Sequence, residues 1–371
     1  MKVALLVRSL ERGGAERQLV MLARVLKSSG VEVVVLVFYG GGPFEKDLIE
    51  AGIRVIALDK ASRWDLAGFT WRFVRALRQE RPNILYGFVV SPNLLGSAIK
   101  PLFPKMRMVW GVRSASMDLD AYDWVSKLVY GLEGRLSSLP DLIVVNSQAG
   151  RRHLQKRGFP MEKVVVVPNG IDVTRYQPDA GGRVRLRREW GIQGDEFLIG
   201  LVARADPVKA HEVFVAAAKS LHARDSRLRF VCVGVDEPKA AALRSEAARL
   251  GMADRFKVEG PRDDLSVVYS ALDVNVLCSH SEGFPNVVAE AMACGVPCAV
   301  TNVGDAAEIV ADTGERAPVA DPAALARAIE ALLARVRSDA ESMRRAARAR
   351  IEERYSLGAL AERTLVELRR L

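Results

Sequence analysis

The sequence has little cysteine, no long apolar run, no internal repeat and no low-complexity tract. Its four cysteines, Cys232, Cys278, Cys294 and Cys298, stand in apolar surroundings. That argues against a disulfide-stapled scaffold and fits reduced thiols in a cytoplasm. Cys294 and Cys298 have no second ligand pair near them, so their spacing does not make a zinc site. No apolar stretch approaches the ~18–20 residues that span a bilayer. Residues 1–10, MKVALLVRSL, are too short and too interrupted for a signal peptide, and no small-residue cleavage site follows. What is present is an ordinary globular composition: 371 residues, 49% hydrophobic and 27% charged, which excludes disorder, collagen and coiled coil. At ~100–200 residues per domain, the length predicts two domains with ample cores.

The net charge of +9 is unevenly spread. Residues 1–170 carry 25 Lys and Arg against 15 Asp and Glu, whereas residues 171–371 carry 29 against 30. A basic half is compatible with nucleic acid, an anionic membrane surface or an anionic substrate, and composition does not choose among them.

Short β-branched runs alternate with helical patterns along the whole chain. In the first half the predicted strands are 3–7, 31–38, 54–58, 84–88, 106–112, 142–146 and 164–167. Most are continuously apolar, as strands covered on both faces must be. Helical patterns at 15–27, 66–80, 92–100, 122–136 and 147–156 lie between them. Pro168-Asn-Gly-Ile-Asp172 carries turn chemistry, and a polar, Gly- and Arg-rich stretch, 177–188, follows it as a connection. The alternation then restarts with strands at 197–203, 228–233, 255–258, 274–277 and 297–300, and helices at 212–222, 238–250, 264–272 and 286–294. The tail from residue 322 reads as helices rich in Ala, Arg and Glu. Two doubly wound α/β halves, joined near residue 170, account for this pattern. Open α/β sheets bind ligands at the carboxyl ends of their strands, so function is expected in the loops that follow them.

The most informative loop is Ser281-Glu-Gly-Phe-Pro-Asn-Val-Val-Ala-Glu290, which links a strand ending near Cys278 to a helix opening at Asn286. An opening helix offers backbone N–H groups and the positive end of its dipole, which suits a phosphate. Gly283 permits close backbone approach. Glu282 and Glu290 can face one bound molecule, because helical side chains tilt toward the N-terminus. The plain alternative makes Glu282 a solvated loop residue and Glu290 an exposed helix residue.

This segment resembles the Glu-x7-Glu signature of retaining glycosyltransferases of family 4, which have the GT-B fold. The continuation Glu290-Ala-Met-Ala-Cys-Gly-Val-Pro297 and the segment Val303-Gly-Asp-Ala-Ala-Glu-Ile-Val310 extend the likeness. Gly13-Gly-Ala-Glu16 resembles the family's glycine-rich loop, and Ala203-Arg-Ala-Asp-Pro-Val-Lys-Ala-His211 resembles its Arg…Lys segment. Pro168-Asn-Gly-Ile-Asp172 resembles its interdomain junction. The resemblance implies an α/β protein of two Rossmann-like domains facing each other across a deep interdomain cleft. Residues 1–170 would bind the acceptor, with a C-terminal helix at about 356–371 packing back on them, and residues 171–355 would bind the nucleotide-sugar donor.

By the same resemblance, Arg204 and Lys209 would grip the donor diphosphate, Glu290 would take the ribose hydroxyls, and Glu282 would contact the transferred sugar. Gly283, Phe284, Pro285 and Asn286 would form the pocket wall, with Gly13 and Gly14 at the opposite wall. Many family members also place a histidine after the fourth strand of the first domain. None of His153, His211, His222 and His280 falls there. Ser91, Asn93, Arg113 and Ser114 are the polar residues at strand ends that stand in its place.

The implied activity is transfer of a sugar from a nucleotide-diphosphate sugar, UDP- or GDP-linked, to an acceptor hydroxyl with retention. It would need no cofactor and no metal. Asp118-Leu-Asp120 has the spacing of a Mg²⁺ or Mn²⁺ motif but reads as helix-capping acids. The implied partners are the donor and a glycan or lipid-linked glycan, in bacterial surface polysaccharide or glycolipid biosynthesis. The implied setting is the cytoplasm, with peripheral contact at the inner face of the membrane. The arginines at 72, 75, 78 and 81 put a basic outer face on the 66–80 helix, which fits that contact. Other readings explain less. A dehydrogenase needs Gly-x-Gly-x-x-Gly where this chain has Arg12-Gly-Gly-Ala-Glu-Arg17. An epimerase or a catalytically impaired GT-B protein leaves the acid and cation set without a use. A basic nucleic-acid-binding module gives no role to the second-half loops.

Overall fold

The structure, a computed structural model, describes residues 1–11, 13–62, 65, 67–113 and 124–371. The chain divides into two compact units, Met1–Gly170 with Leu357–Leu371, and Ile171–Ser356.

The first unit is built on seven parallel strands: β1 (Lys2–Val7), β2 (Glu32–Val37), β3 (Arg54–Ala57), β4 (Ile84–Phe88), β5 (Arg107–Val112), β6 (Leu142–Val145) and β7 (Val164–Val166). They lie in the order β3-β2-β1-β4-β5-β6-β7. Successive side chains of a strand point to opposite faces, so a strand apolar throughout feeds two cores. Val3, Leu5 and Val7 enter one cluster, while Ala4 and Leu6 enter the other. Helix α1 (Gly14–Ser28) and the C-terminal helix α15 (Leu357–Arg369) cover the first of these faces. Gln18 of α1, buried, donates from Nε2 to the Gly170 carbonyl (3.0 Å) and accepts the Gly170 N–H at Oε1 (3.1 Å). A two-point amide clamp thus fixes the place where the chain leaves this unit.

The second unit holds six parallel strands: β8 (Phe197–Val202), β9 (Leu228–Val233), β10 (Phe256–Glu259), β11 (Val274–Leu277), β12 (Cys298–Thr301) and β13 (Glu315–Ala317). Their order is β10-β9-β8-β11-β12-β13. Ile199 and Leu201 pack on one face, and Leu198 and Val202 on the other. Helices α8 (His211–His222), α10 (Leu265–Ala271) and α11 (Asn286–Ala293) connect the strands that matter below.

The stretch at 177–188 differs from its sequence reading. It contains a helix, α7 (Ala180–Glu189), rather than a connection. Its pattern carries no apolar stripe, so periodicity is silent. It is held instead by its cap and its charges. Asp179 accepts the Gly182 N–H (2.7 Å), and Arg183 donates to the carbonyls of Ser270, Ala271 and Leu272 at the end of α10 (3.0, 3.0 and 2.9 Å). Arg183 and Arg187 also pair with the buried Asp273 at 2.6 and 2.9 Å. Helices at Pro43–Glu50 and Ala306–Val310 and the short strand β13 are likewise present without a sequence expectation.

Asp273 ties the base of the second sheet. Its Oδ2 accepts the Leu198 N–H (2.8 Å), and its own N–H donates to the Leu198 carbonyl (2.8 Å), joining β8 to β11. Burial pushes its pKa up, but the charges of Arg183 and Arg187 and the Leu198 N–H outweigh burial and hold the carboxyl below its usual range. A carboxyl depressed in the folded state contributes stability above its unfolded pKa of about 4. That contribution is lost as pH falls through the lower folded value. Asp273→Ala leaves the partly shielded guanidinium groups of Arg183 and Arg187 without their anion and removes the acceptor of the Leu198 N–H, and should cost about 3 kcal/mol. The check is the thermal midpoint near neutral pH, where the variant should fall well below the parent, with the gap narrowing in strong acid.

Candidate functional site

Where the strand order reverses, connections leave neighbouring strands in opposite directions and the carboxyl ends open into a crevice. In the second unit that point lies between β8 and β11, and the loops after these strands are 203–210 and 278–285. They are cross-linked. The His280 N–H donates to the Val208 carbonyl (2.8 Å), and the Cys278 thiol reaches the carbonyls of Lys209 and Ala210 (3.1 and 3.2 Å). Asp206 accepts the Val208 N–H (2.9 Å), and Ala210 takes a left-handed conformation (φ 50°) that turns the chain into α8. Burial pushes the Cys278 thiol up to about 12, so it is a structural thiol and not a nucleophile.

These loops bring Lys209 and Glu282 into an ion pair at 2.6 Å, with both side chains largely shielded from solvent. The same carboxylate oxygen, Oε1, accepts the Ser279 hydroxyl at 2.7 Å. Ser279 is buried, and its carbonyl accepts from the buried Thr301 hydroxyl at 2.9 Å. Glu282 is therefore a held acid and not a solvated one. Arg204 leaves the end of β8 exposed, and its guanidinium has no partner among the described residues.

Glu290 lies in α11 and is only 3% exposed, which sets aside its reading as a surface helix residue. Its Oε2 accepts the Tyr269 hydroxyl at 3.0 Å. Burial, and then the Glu290 charge, push the Tyr269 pKa far up, so the phenol stays a proton donor. Phe284 is buried against Tyr355, with ring centres 5.5 Å apart, and Pro285 is buried beside it. Both support the loop from beneath, while Gly283 and Asn286 are partly exposed.

In the first unit the reversal falls between β1 and β4. Gly13 caps α1, and Gly14 is its first residue. A Cβ at Gly13 would collide with the Glu16 carboxylate, so Gly13 is the place where Glu16 folds back over the cap. Ser91 is exposed after β4. Asn93 is fully buried and bridges the Gly111 carbonyl and N–H (both 3.3 Å), so it supports the strand ends from within. Arg113 lies over the Phe88 ring (4.6 Å) and donates to Asn169 and to the Tyr86 hydroxyl (both 3.3 Å). Ser114, Asp118 and Asp120 lie outside the described residues, as does residue 66 of the expected 66–80 helix; the helix described, α3, is Ala67–Glu80. On α3 the arginines divide. Arg72 turns inward to the carbonyls of Leu58 and Asp59 and to Asp65, leaving Arg75 and Arg78 on the outer face with the exposed Trp71.

Sequence reasoning singled out both acids and Lys209 but not Ser279, Thr301 or Tyr269, which hold the two acids. It also passed over the strain at Gly304 (φ 56°), where a Cβ would strike the carbonyl oxygens of Gly283 and Glu282. Only glycine lets the loop after β12 lie against the 282–283 segment, where the Asp305 N–H bonds to the Gly283 carbonyl (2.9 Å). Gly304→Ala should cost about 1–3 kcal/mol through its strained conformation and the displaced loop. Gly251→Ala, also at positive φ but with open space around it, is the control and should cost less. Equal thermal shifts in the two variants would contradict the close approach.

Residues 12–175 match Glycosyltransferase Family 4, and residues 196–335 match Glycosyl transferases group 1. A D-inositol 3-phosphate glycosyltransferase of Thermomonospora curvata is 28% identical over 355 residues, covering 89% of this chain and 78% of that one. The enzyme of the same name from Kineococcus radiotolerans is 32% identical over 295 residues, covering 73% and 66%. The one from Segniliparus rotundus is 34% identical over 188 residues, covering 48% and 41%, so the chain spans less than half the length of that relative. Among solved structures, Anabaena HepE in complex with UDP is 22% identical with a TM-score of 0.85, covering all of both chains. Sucrose-phosphate synthase of Thermosynechococcus elongatus is 22% identical with a TM-score of 0.80, covering 100% of this chain and 98% of that one. Fold, paired acids and both matched regions lead to one conclusion: the chain belongs to the family 4 glycosyltransferases and has the GT-B fold.

Proposed function

We propose that this protein transfers a sugar from a nucleoside-diphosphate sugar to an acceptor hydroxyl with retention of anomeric configuration. The observation that carries the reading is the pair of shielded acids, Glu282 and Glu290, set with Lys209 at the point where the second sheet reverses its order. Carboxylates accept hydroxyl hydrogen bonds, and cations offset charge on a departing diphosphate. The second unit binds the donor. Glu290 takes the ribose hydroxyls and Glu282 the sugar, while Arg204, Lys209 and the opening turn of α11 take the diphosphate. UDP is the favoured nucleotide, since the similar HepE structures hold UDP and UDP-glucose, with a GDP-linked donor the next to test.

In the reaction, the bond from the anomeric carbon to the diphosphate oxygen breaks as positive charge grows on that carbon. The acceptor oxygen bonds to the face the leaving group vacates. The acceptor proton passes to the leaving phosphate, so no side-chain base is required. Neutralisation of the leaving group by Arg204 and Lys209 takes the place of a metal ion. The first unit, with Ser91 exposed after β4, handles the acceptor, a glycan or lipid-linked glycan of surface polysaccharide or glycolipid biosynthesis. The names of the relatives add inositol phosphate to the acceptors worth testing.

A thermal-shift panel of nucleotide sugars, with free oligonucleotide as the competing ligand, tests the reading. One nucleotide sugar should stabilise the protein selectively, and oligonucleotide should not. Glu290→Ala should weaken nucleotide binding, and Lys209→Ala should lower turnover at least about tenfold, ~1.4 kcal/mol. Parental values in both variants would remove these assignments.

No helix among the described residues is long and apolar enough to cross a membrane. Access to a lipid-linked acceptor then falls to a surface such as the outer face of α3, where the Arg75 guanidinium sits 5.3 Å from the centre of the exposed Trp71 ring. An exposed tryptophan beside arginines suits anionic headgroups. Charge reversal at Arg75 and Arg78 should abolish sedimentation with anionic vesicles and leave turnover on a soluble acceptor unchanged. Unaltered sedimentation would exclude this surface.

A further inference from the structure

Glu282 accepts two hydrogen bonds on one oxygen. Lys209 Nζ and Ser279 Oγ both meet Oε1, at 2.6 and 2.7 Å, while Oε2 has no partner among the described residues. The two donors differ in freedom. The hydroxyl of Ser279 is a single short rotor on a residue 1% exposed, and the Thr301 hydroxyl fixes that residue's carbonyl. The ammonium of Lys209 rides on a flexible four-carbon stem and can be redirected while its backbone stays pinned by Cys278. If both donors left together, a shielded carboxylate would stand unpaired, which is costly.

We propose that Ser279 is the positioning residue for Glu282 and that Lys209 is the donor that leaves it. When a nucleotide sugar binds, the ammonium exchanges the carboxylate for the diphosphate. Ser279 keeps Oε1, so Oε2 stays set to accept a hydroxyl of the transferred sugar. This rests on the donor site proposed above and adds a consequence for specificity. A free nucleoside diphosphate draws Lys209 from Glu282 and gives the carboxylate nothing in return. A nucleotide sugar supplies a hydroxyl. The site therefore favours donor over spent nucleotide by an amount that runs through Glu282 and Ser279.

The test measures, on each preparation, affinity for the nucleoside diphosphate and kcat/KM for the matching nucleotide sugar. Ser279→Ala should lower kcat/KM about tenfold, ~1.4 kcal/mol, and should weaken the diphosphate as well, because release of Lys209 then leaves Glu282 without a protein donor. Ser279→Thr, which retains the hydroxyl, should restore both parental values. Glu282→Gln should tighten the diphosphate, because Lys209 is released and a like charge removed, and in that background Ser279→Ala should have no further effect. Partial unfolding caused by Ser279→Ala would persist in the Glu282→Gln background, which separates it from a loss that runs through Glu282. The proposal is overturned if Ser279→Ala leaves both readouts at parental values, if its cost persists in the Glu282→Gln background, or if Glu282→Gln fails to tighten the diphosphate. A parent protein that binds no nucleoside diphosphate would instead sink the donor-site reading, and this inference with it.

Discussion

The pairing of β8 with β11 is the constraint on which the second unit depends. These strands are distant in sequence and adjacent in space, with the β9–β10 wing on one side and β12–β13 on the other. Connections leaving them in opposite directions cannot cover the gap between their carboxyl ends, so a crevice follows from topology alone. At the other end of the same strands, Asp273 closes the seam by exchanging hydrogen bonds with Leu198 and accepting arginines from α7. The closed end makes the open end possible. A buried carboxylate with good partners holds the register there, and the loops at the far ends can then carry glycine, strain and charge.

The two acids of the crevice are held by the protein's own donors. Each acid has a protein donor, Lys209 and Ser279 for Glu282 and Tyr269 for Glu290. A shielded charge left unpaired would cost several kcal/mol, so the resting state needs these donors. Under the proposed donor site, ligand binding is then an exchange of partners and not a simple gain of contacts. An exchangeable partner must be long and mobile, as lysine is, and a permanent one must be short and packed, as Ser279 and Tyr269 are. Charge density supports the same division. The second unit is close to neutral while the first is basic, so under the proposed function an anionic donor bound there would meet placed cations and not a diffuse field.

Much of this was legible in the sequence, because two signals were strong. Continuous β-branched runs alternating with helical patterns identify parallel strands buried on both faces, and nearly every such run became a strand. The Glu282–Glu290 segment carries its chemistry in consecutive residues, so one reading frame reveals it. What escaped notice depends on contacts between distant segments. Helix α7 has no apolar stripe, and its reason for existing is Asp273, far along the chain. Tyr269 looks like an ordinary core aromatic until α11 brings Glu290 to its hydroxyl. Asn93 has a polar side chain at a strand end, which reads as a site residue, yet burial turns it into a backbone bridge. Arg72 was grouped with Arg75 and Arg78 by spacing, but Asp65 and two carbonyls draw it inward.

A polar residue beside a loop can act on a ligand or support what does, and sequence position cannot separate the two roles. The difference lies in where the hydrogen bonds go. Asn93 spends its amide on the backbone of Gly111, so little capacity remains for a ligand. Ser279 spends its hydroxyl on an acid whose other oxygen has no partner among the described residues, so its bond is passed on to whatever that oxygen meets. Glu282 can therefore be both supported and available, because a carboxylate has two acceptor oxygens and one can be held while the other faces outward. The choice of an acid at 282, with a short donor three residues before it and a long cation across the seam, follows from that count of lone pairs.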